Sequence, residues 1–398
     1  MRLIISGKIS KVTTDSKTPA VKPKISLILL LNLSPKSPPQ KVEIKVKKIT
    51  NVGVISYFTR DWYNVVDMDG SITVSAPGRI DLSGGATDWC GMQTLAMAIN
   101  LRAYATVKKI DNPNKKIITI GDNRIEYEKP EYDGNLNLFK AVIELTGQSG
   151  FEVNYKTDIP KGSGLGGSAP LTVATVMAVS KLFGLNWSRY YMAELAQRAE
   201  SLKLQTVNGY QDQYSAMFGG LLYMDFNGKS CQKWCYSKPI DQEPYTTVEV
   251  LTEYAPIFNV VVAVPEIIRS SSNETNGSVS ERYLNGEKLI VELMKKKAML
   301  TQEAKKAVVD GKINKLYDLI NQNNEIMRSF GYVSEDDEKI ITIGIQNGAV
   351  ACKTCGAGRG AVAILAKSAE SREKIYRALE NRVKDIFKVE MDTGARFE

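Results

Sequence analysis

The chain has 398 residues, of which 43% are hydrophobic and 24% are charged, and its formal net charge is +8. This composition predicts a globular protein with a sizeable core and room for two domains. The sequence contains no histidine, which excludes Ser-His-Asp and Cys-His nucleophiles and every histidine-ligated zinc or iron site. Any proton transfer must therefore use a carboxylate, a lysine, a tyrosine or a cysteine.

The basic residues are scattered except near the N-terminus, where Lys41, Lys45, Lys47 and Lys48 alternate with apolar residues. Without interleaved aromatic residues, this pattern indicates a solvated surface and no nucleic-acid groove, although the net charge suits small anionic substrates. The apolar run at residues 25–31 is too short to cross a membrane and follows a polar stretch. We therefore predict no export signal and no membrane anchor.

Five cysteines at irregular spacing are typical of reduced thiols in a cytoplasmic protein. Cys352 and Cys355 form a C-x-x-C pair, and no second pair completes a zinc site. We expect these two cysteines to pack at the end of a strand. We also expect a cytoplasmic protein that is a monomer or a homodimer.

The first 67 residues differ from the rest of the chain, because they contain clusters of Ser, Thr, Pro and Lys and little periodicity. We predict a weakly ordered extension at 1–67, with one strand at 42–49. From Met68 onward, "SITVSAP", "LRAYATVKKI" and "FEVNYKTDIP" alternate as strands do. We place one domain at 68–250 and a second at 251–398.

Helix signals follow the strands. Ser168 is the predicted cap of a helix that has Pro170 in its first turn and ends at Gly184. In the second half, "FNVVVAVPE" is a predicted strand, and "GAVACKTCGAGRGAVAIL" is a predicted strand, glycine turn and strand. The other predicted helices cover residues 188–202, 279–310, 312–328 and 369–382.

The loop "PKGSGLGGSA" at residues 160–169 contains the pattern G-x-G-x-x-G. A dinucleotide fingerprint requires a buried parallel strand before the loop and an acidic residue about 20 positions later at a strand end. Here the preceding strand alternates and the later position is a helix start, so both tests fail. Its glycines still allow backbone N–H groups to converge on an anion at a helix N-terminus. The sequence predicts a phosphate-binding loop, the alternative being a turn without a ligand.

Two more segments carry candidate functional residues: "SAPGRIDLSGGATDW" at 75–89 and "NGYQDQYSAMFGG" at 208–220. Together with the loop and with "CGAGRGA" at 355–361, they resemble the motifs of the GHMP kinase superfamily, which includes galactokinases and mevalonate kinases. Three motifs of that superfamily appear in order: "APGRIDLSGG" at 76–85 is the first, the loop at 160–169 is the second and "CGAGRGA" is the third. The resemblance covers residues 68–398. It implies an α+β fold with an N-terminal ribosomal-S5-like domain and a C-terminal ferredoxin-like domain, and an active site between them.

The resemblance implies ATP- and Mg²⁺-dependent transfer of a phosphoryl group to a hydroxyl. Asp212 would be the catalytic carboxylate, and Arg79 would keep it ionised and offset charge on the transferring group. Ser168 and Glu200 would ligate Mg²⁺, although a glutamate on a helix surface is often only solvated. The implied ATP-binding residues are Pro160, Gly162, Gly164, Leu165, Gly166, Gly167, Ser168 and Ala169.

The resemblance also implies a set of substrate contacts. For Asp81 the alternative is a structural hydrogen bond at a turn or strand end, and for Arg269 it is an ordinary surface loop. If the substrate is a sugar phosphate, Arg79, Arg102 and Arg269 are the candidate cations. The implied substrate residues are Asp81, Gly84, Gly85, Thr87, Asp88, Gln211, Gln213, Arg269, Gly356 and Gly358.

Galactokinases carry Glu-His where this chain has Gly85 and Ala86, which argues against galactose. The first motif and "QDQ" around Asp212 resemble the branch that holds D-glycero-D-manno-heptose 7-phosphate kinase and L-fucokinase. We therefore expect a small-molecule sugar or sugar phosphate that is phosphorylated on its anomeric hydroxyl. Arg359 and Ala361 replace glycines of the third motif. The alternatives are a kinase of another small alcohol and a non-catalytic sugar or nucleotide sensor.

Deleting residues 1–66 should leave folding and activity largely intact, because their composition predicts few core contacts. Thermal melting and turnover of the truncated and full-length chains would test this expectation. An insoluble truncated protein would contradict it.

Overall fold

The computed structural model describes residues 26–31, 40–45, 69–134, 136–206, 208–229, 238–266, 272–358 and 360–398. The chain divides into two units, Met1–Val65 and Val66–Glu398. In the first unit, β1 (Ser26–Leu31) and β2 (Gln40–Lys45) pair antiparallel. The strand predicted at 42–49 overlaps β2, and the remainder of the predicted extension lies outside the described residues.

The larger sheet of the second unit is built around one long strand, β4. Its second half pairs with β3 and β7, and its first half pairs with β3 and β8. β7 is buried at every second residue as far as Tyr155, as its alternating sequence indicates. It pairs parallel with β5 and antiparallel with β4. The strands are β3 (Ile72–Ser83), β4 (Thr94–Lys109), β5 (Lys116–Ile120), β6 (Asn123–Tyr127), β7 (Phe151–Thr157), β8 (Leu221–Asp225) and β9 (Thr247–Val250).

Four helices accompany this sheet: α1 (Asn137–Leu145), α2 (Ser168–Leu182), α3 (Arg189–Arg198) and α4 (Gln211–Phe218). α2 packs on β3 and β4, and all but three of its residues are buried, since it lies between the sheet and α3 and α4. The prediction that Ser168 caps α2 is wrong, because Ser168 is the first helical residue and Gly167 occupies the cap position. Gly184 ends the helix in the left-handed conformation, with φ +66°.

A second, four-stranded sheet follows: β10 (Asn259–Val264), β11 (Ala349–Thr354), β12 (Val362–Ala366) and β13 (Asp385–Val389). Its order is β11-β12-β10-β13 and its pairs are antiparallel. This is the arrangement of a ferredoxin-like unit, as the sequence motifs imply. The helices of this half are α5 (Ser272–Leu284), α6 (Lys288–Val309), α7 (Ile313–Ser329), α8 (Glu335–Gln346) and α9 (Ala369–Leu379).

The prediction of a single helix at 279–310 is wrong, because α5 ends at Leu284 and α6 begins at Lys288. Gly286 adopts φ +72° there, which ends a helix as a glycine C-cap does. The sequence reading also missed α8, whose start carries a capping box between Ser334 and Asp337. No helix in the described part of the chain has the length and apolar character needed to cross a membrane.

The C-terminus returns to the first sheet, where β14 (Arg396–Phe397) pairs with β3. The buried guanidinium of Arg102 holds this segment, since it donates to the Asp392 carboxylate at 2.7 Å and to the carbonyl of Gly394 at 3.0 Å. The segment that follows β13 is therefore held on the larger sheet by strand pairing and by Arg102. The domain division at residue 250 stays a prediction.

Candidate active site

A cavity of about 750 Å³ lies where the three motifs meet. The glycine loop before α2 forms one part of its wall, and the start of α4 and the turn after β11 form others. Arg79 and Asp212 line it, together with Glu200 and Gly356. The fold thus brings together segments that are far apart in the sequence.

At the cavity wall, the guanidinium of Arg79 binds the carboxylate of Asp212. Nε and Nη2 of Arg79 lie 2.8 and 2.6 Å from the same oxygen, Oδ1 of Asp212. The Arg79 side chain is 4% exposed and that of Asp212 is 22% exposed, so the carboxylate remains accessible from the cavity. Burial alone would lower the pKa of Arg79, but the charges of Asp212 and Asp81 raise it. The pair is therefore ionised, and Asp212 presents a carboxylate to a ligand.

The glycine loop lies directly against this pair. The carbonyl of Gly164 accepts a hydrogen bond from Arg79 Nη1, and the backbone N–H of Arg79 donates to the carbonyl of Leu165. Gly166 has φ +76°, and a Cβ there would lie 3.4 Å from Asp212. Glycine therefore lets the loop pass in this conformation beside the carboxylate. The N-terminus of α2 follows, which is the geometry of an anion site.

Glu200 faces the cavity from a single π-helical turn, Ala199–Lys203, that follows α3. Burial raises its pKa to about 7; hydrogen bonds from Ser168 and Gln213 oppose this shift and the nearby Asp212 adds to it. The expectation of a merely solvated glutamate does not hold, because the residue lines the cavity. A hydroxyl and carboxylates are hard oxygen donors, and Mg²⁺ commonly takes one or two carboxylates plus substrate phosphates. The residues present fit that ion.

Asp88 anchors the helix that carries Asp212. Its Oδ2 accepts the backbone N–H groups of Tyr210 at 2.6 Å and Gln211 at 2.9 Å, at the start of α4. Gly209 leaves room for this contact, since a Cβ there would lie 1.8 Å from Oδ2. Burial raises the pKa of Asp88 to about 6, although these N–H groups oppose the shift. Asp88 also lines the cavity.

The predicted site residues fall into three groups. Those that line the cavity are Arg79, Asp88, Gly162, Gly164, Gly166, Gly167, Ser168, Glu200, Gln211, Asp212 and Gly356. Those that do not line it are Asp81, Gly84, Gly85, Thr87, Pro160, Leu165, Ala169, Gln213 and Gly358. Arg269 lies outside the described residues.

The structure also places two further residues that the sequence singles out, Arg102 and Ala361. Arg102 does not line the cavity, and its guanidinium is bonded to Asp392 and to backbone carbonyls, so it is a structural cation. Arg359, like Arg269, lies outside the described residues. Ala361 is buried, and its N–H donates to the Ser163 carbonyl of the glycine loop. Its methyl group therefore does not prevent contact between the two glycine segments.

Sequence reasoning missed two side chains that line the cavity, Trp89 and Asn208. Among the described residues, Nε1 of Trp89, Nδ2 of Asn208 and Oε1 of Gln211 are buried and have no hydrogen-bond partner. All three side chains line the cavity beside Asp88 and Asp212. Buried polar groups are normally paired, so this set indicates a ligand with both donors and acceptors. The available signal was nearness in the sequence, because Trp89 follows Asp88 directly and Asn208 lies four residues before Asp212.

Sequence reasoning also missed two buried lysines behind the site. Lys297 and Lys353 are both fully buried. Lys297 Nζ donates to the carbonyl of Gly85 at 2.6 Å, and Lys353 Nζ donates to the carbonyl of Thr354 at 3.0 Å. Burial lowers the pKa of both amines, and Asp81 opposes the shift in each case. No local pattern distinguishes them from surface lysines.

Comparison with known families identifies three segments of the chain. Residues 136–220 match the GHMP kinases N terminal domain, and residues 304–385 match the GHMP kinases C terminal domain. Residues 63–109 match the galactokinase galactose-binding signature. These segments contain the glycine loop, Asp212, Arg79 and the third motif.

Individual relatives agree with these matches. The chain is 29% identical to a D-glycero-alpha-D-manno-heptose 7-phosphate kinase of Campylobacter jejuni over 308 residues, which cover 73% of this chain and 87% of the relative. It is 26% identical to a mevalonate kinase of Pyrococcus horikoshii over 312 residues, covering 73% and 86%. The structure of Lactococcus lactis galactokinase complexed with galactose superimposes with a TM-score of 0.65 at 19% identity, covering 82% and 94%. The chain belongs to the GHMP kinase superfamily of phosphotransferases.

Proposed function

We propose that this protein transfers the γ-phosphoryl group of ATP to a hydroxyl of a sugar or sugar phosphate, with Mg²⁺ as the metal. The observation that carries the proposal is the Arg79–Asp212 pair, which lies at the cavity wall in contact with the glycine loop. GHMP kinases use ATP as the phosphoryl donor. A carboxylate beside a phosphate-binding loop is suited to phosphoryl transfer, in which positioning and electrostatics dominate catalysis.

Each charged or polar side chain of the site has one role in the proposed reaction. The acceptor oxygen forms a bond to the γ-phosphorus, the bond from that phosphorus to the bridging oxygen of ADP breaks, and the hydroxyl proton passes to Asp212. Arg79 keeps Asp212 ionised until then and offsets charge on the transferring group. Bound Mg²⁺ would neutralise phosphate charge, and Ser168 and Glu200 are the residues that would hold it.

The buried, unpartnered atoms of Trp89, Asn208 and Gln211 in the cavity wall support a hydroxyl-rich substrate. Trp89 and Asn208 offer N–H donors, whereas Gln211 offers a carbonyl acceptor. A hydroxyl both donates and accepts, so a polyol can satisfy all three atoms.

The similarity to a heptose 7-phosphate kinase favours a heptose phosphate phosphorylated at its anomeric hydroxyl. An L-fucokinase-like activity is an alternative, because the sequence motifs resemble the branch that holds both enzymes. Galactose is a further candidate, because the galactose-binding signature matches residues 63–109, although Gly85 and Ala86 replace Glu-His there. Mevalonate is a candidate of another class because of the mevalonate kinase relatives.

Replacing Asp212 tests the reaction. Asp212→Asn should lower kcat at least about 100-fold, because the amide cannot accept the proton, while ATP affinity changes little. ADP release across heptose 7-phosphates, fucose, galactose and mevalonate would measure it. Asp225→Asn is the matched control, since Asp225 lies on β8 and does not line the cavity. Near-normal turnover of Asp212→Asn would remove Asp212 as the base, and ATP binding without turnover on any acceptor would favour the sensor.

The Mg²⁺ requirement should depend on pH through Glu200. A ligand carboxylate must be deprotonated, and the pKa of Glu200 is raised to about 7. The Mg²⁺ concentration for half-maximal activity should therefore be about tenfold higher at pH 6 than at pH 8. Glu200→Gln should lose this difference, apart from the titration of ATP itself, which serves as the baseline.

Ser168→Ala is the companion variant for that measurement. The Ser168 hydroxyl lowers the pKa of Glu200 by hydrogen bonding. Loss of this hydroxyl should therefore raise the Mg²⁺ concentration needed for half-maximal activity and move the pH dependence of that concentration to higher pH. Equal pH dependence in the wild type and in Glu200→Gln would exclude Glu200 as the ligand.

A further inference from the structure

The buried carboxylate of Asp81 touches two parts of the site at once. Its Oδ1 lies 3.2 Å from Nε of Arg79, and its Oδ2 accepts the backbone N–H of Gly356 at 2.7 Å. The side chain is 0% exposed and does not line the cavity. Asp81 therefore cannot contact a substrate directly, in contrast to the expectation from the sequence, and acts only through the groups it holds.

The contact between Asp81 and Arg79 is an ion pair without a hydrogen bond. The single N–H on Nε of Arg79 is already donated to Asp212, and Oδ1 of Asp81 has no hydrogen-bond partner among the described residues. Its charge therefore acts on the guanidinium at the same Nε that donates to Asp212. In a buried setting such an interaction is screened little by water.

Two buried lysines support the charge of Asp81. Lys353 precedes the turn on β11, and Lys297 reaches the site from α6. Burial alone would raise the pKa of Asp81, but Arg79, Lys353, the Gly356 N–H and Lys297 together lower it. The carboxylate is therefore ionised, and Arg79 is not its sole electrostatic partner.

The turn that Asp81 holds forms part of the cavity. Gly356 and Ala357 line the cavity, and the N–H of Ala361 at the far side of the turn donates to the Ser163 carbonyl. Arg79 in turn contacts Asp212 and the carbonyl of Gly164. One carboxylate thus lies between the third motif, the base and the glycine loop.

We propose that Asp81 is a positioning residue that couples the Gly356 turn to the Arg79–Asp212 pair. The carboxylate fixes the guanidinium in the orientation that serves Asp212 and, through its other oxygen, fixes the turn that closes the cavity wall. This inference rests on the proposed function for its kinetic consequence. Its structural consequence, protection of the turn, holds whether or not a sugar is phosphorylated.

Two substitutions separate the two contacts. Asp81→Asn keeps an oxygen that can accept the Gly356 N–H but removes the negative charge that acts on Arg79. Asp81→Ala removes both the hydrogen bond and the negative charge. We expect Asp81→Asn to lower kcat about 30- to 100-fold, the size of effect that misplaced catalytic groups produce, with the sugar KM within about twofold of wild type. Hydrogen exchange of the peptide covering residues 355–361 should stay slow in Asp81→Asn and become about tenfold faster in Asp81→Ala.

Asp337→Asn is a matched control. Asp337 is also fully buried, accepts one backbone N–H, from Ser334 at 2.8 Å, and has one oxygen without a partner among the described residues. It does not line the cavity. This variant should lower the melting temperature and leave kcat and exchange at residues 355–361 unchanged.

The outcomes discriminate between explanations. A kcat for Asp81→Asn within threefold of wild type, or unchanged exchange in Asp81→Ala, would overturn the proposal. A tenfold rise in sugar KM at constant kcat would instead make Asp81 a substrate ligand and also overturn it. If the wild-type protein phosphorylates none of the acceptors, the proposed function fails, and the exchange of the Gly356 turn alone decides the coupling.

Discussion

The buried guanidinium of Arg79 is the constraint on which the rest of the site depends. An arginine cannot shed its charge inside a protein, so a side chain that is 4% exposed requires fixed counter-charges. Asp81 and Asp212 supply them, and both carboxylates approach Nε of the guanidinium. Removing one partner of such a group typically costs about 3–5 kcal/mol, because a buried charge is left uncompensated. The geometry of Asp212 is thus tied to the stability of the fold.

The carboxylates around this cation fall into two electrostatic classes. Asp81 has a lowered pKa because cations surround it, whereas burial raises the pKa of Asp88 to about 6 and that of Glu200 to about 7. Separation of pKa values among neighbouring carboxylates is how one site assigns different roles to the same chemical group. Glu200 lies beside the hydroxyl of Ser168 and the loop that suits phosphates, and a cation bound there would favour its ionised form.

The sequence predicted the parts of the site that local chemistry determines. Loop glycines, alternating strands and the ordered motifs are local patterns, and they led to the family, to the fold and to Asp212. The roles of Asp81 and Asp88 were not accessible in this way. The Gly356 N–H that binds Asp81 is 275 residues away, and the N–H groups that bind Asp88 are more than 120 residues away. Both aspartates look alike in sequence. Only long-range packing distinguishes Asp81, which does not line the cavity, from Asp88, which does.

The departures in the third motif show why backbone and side-chain requirements must be considered separately. A Cβ at Gly360 would lie 2.6 Å from the Ser163 carbonyl oxygen, so glycine is required there for the two loops to approach. At the next position the contact uses only the N–H of Ala361, and the buried methyl group is accommodated. The family pattern of consecutive glycines therefore overstates what this turn needs. Contact with the glycine loop depends on the position at 360, and the replacement at 361 leaves the backbone hydrogen bond between the two motifs intact.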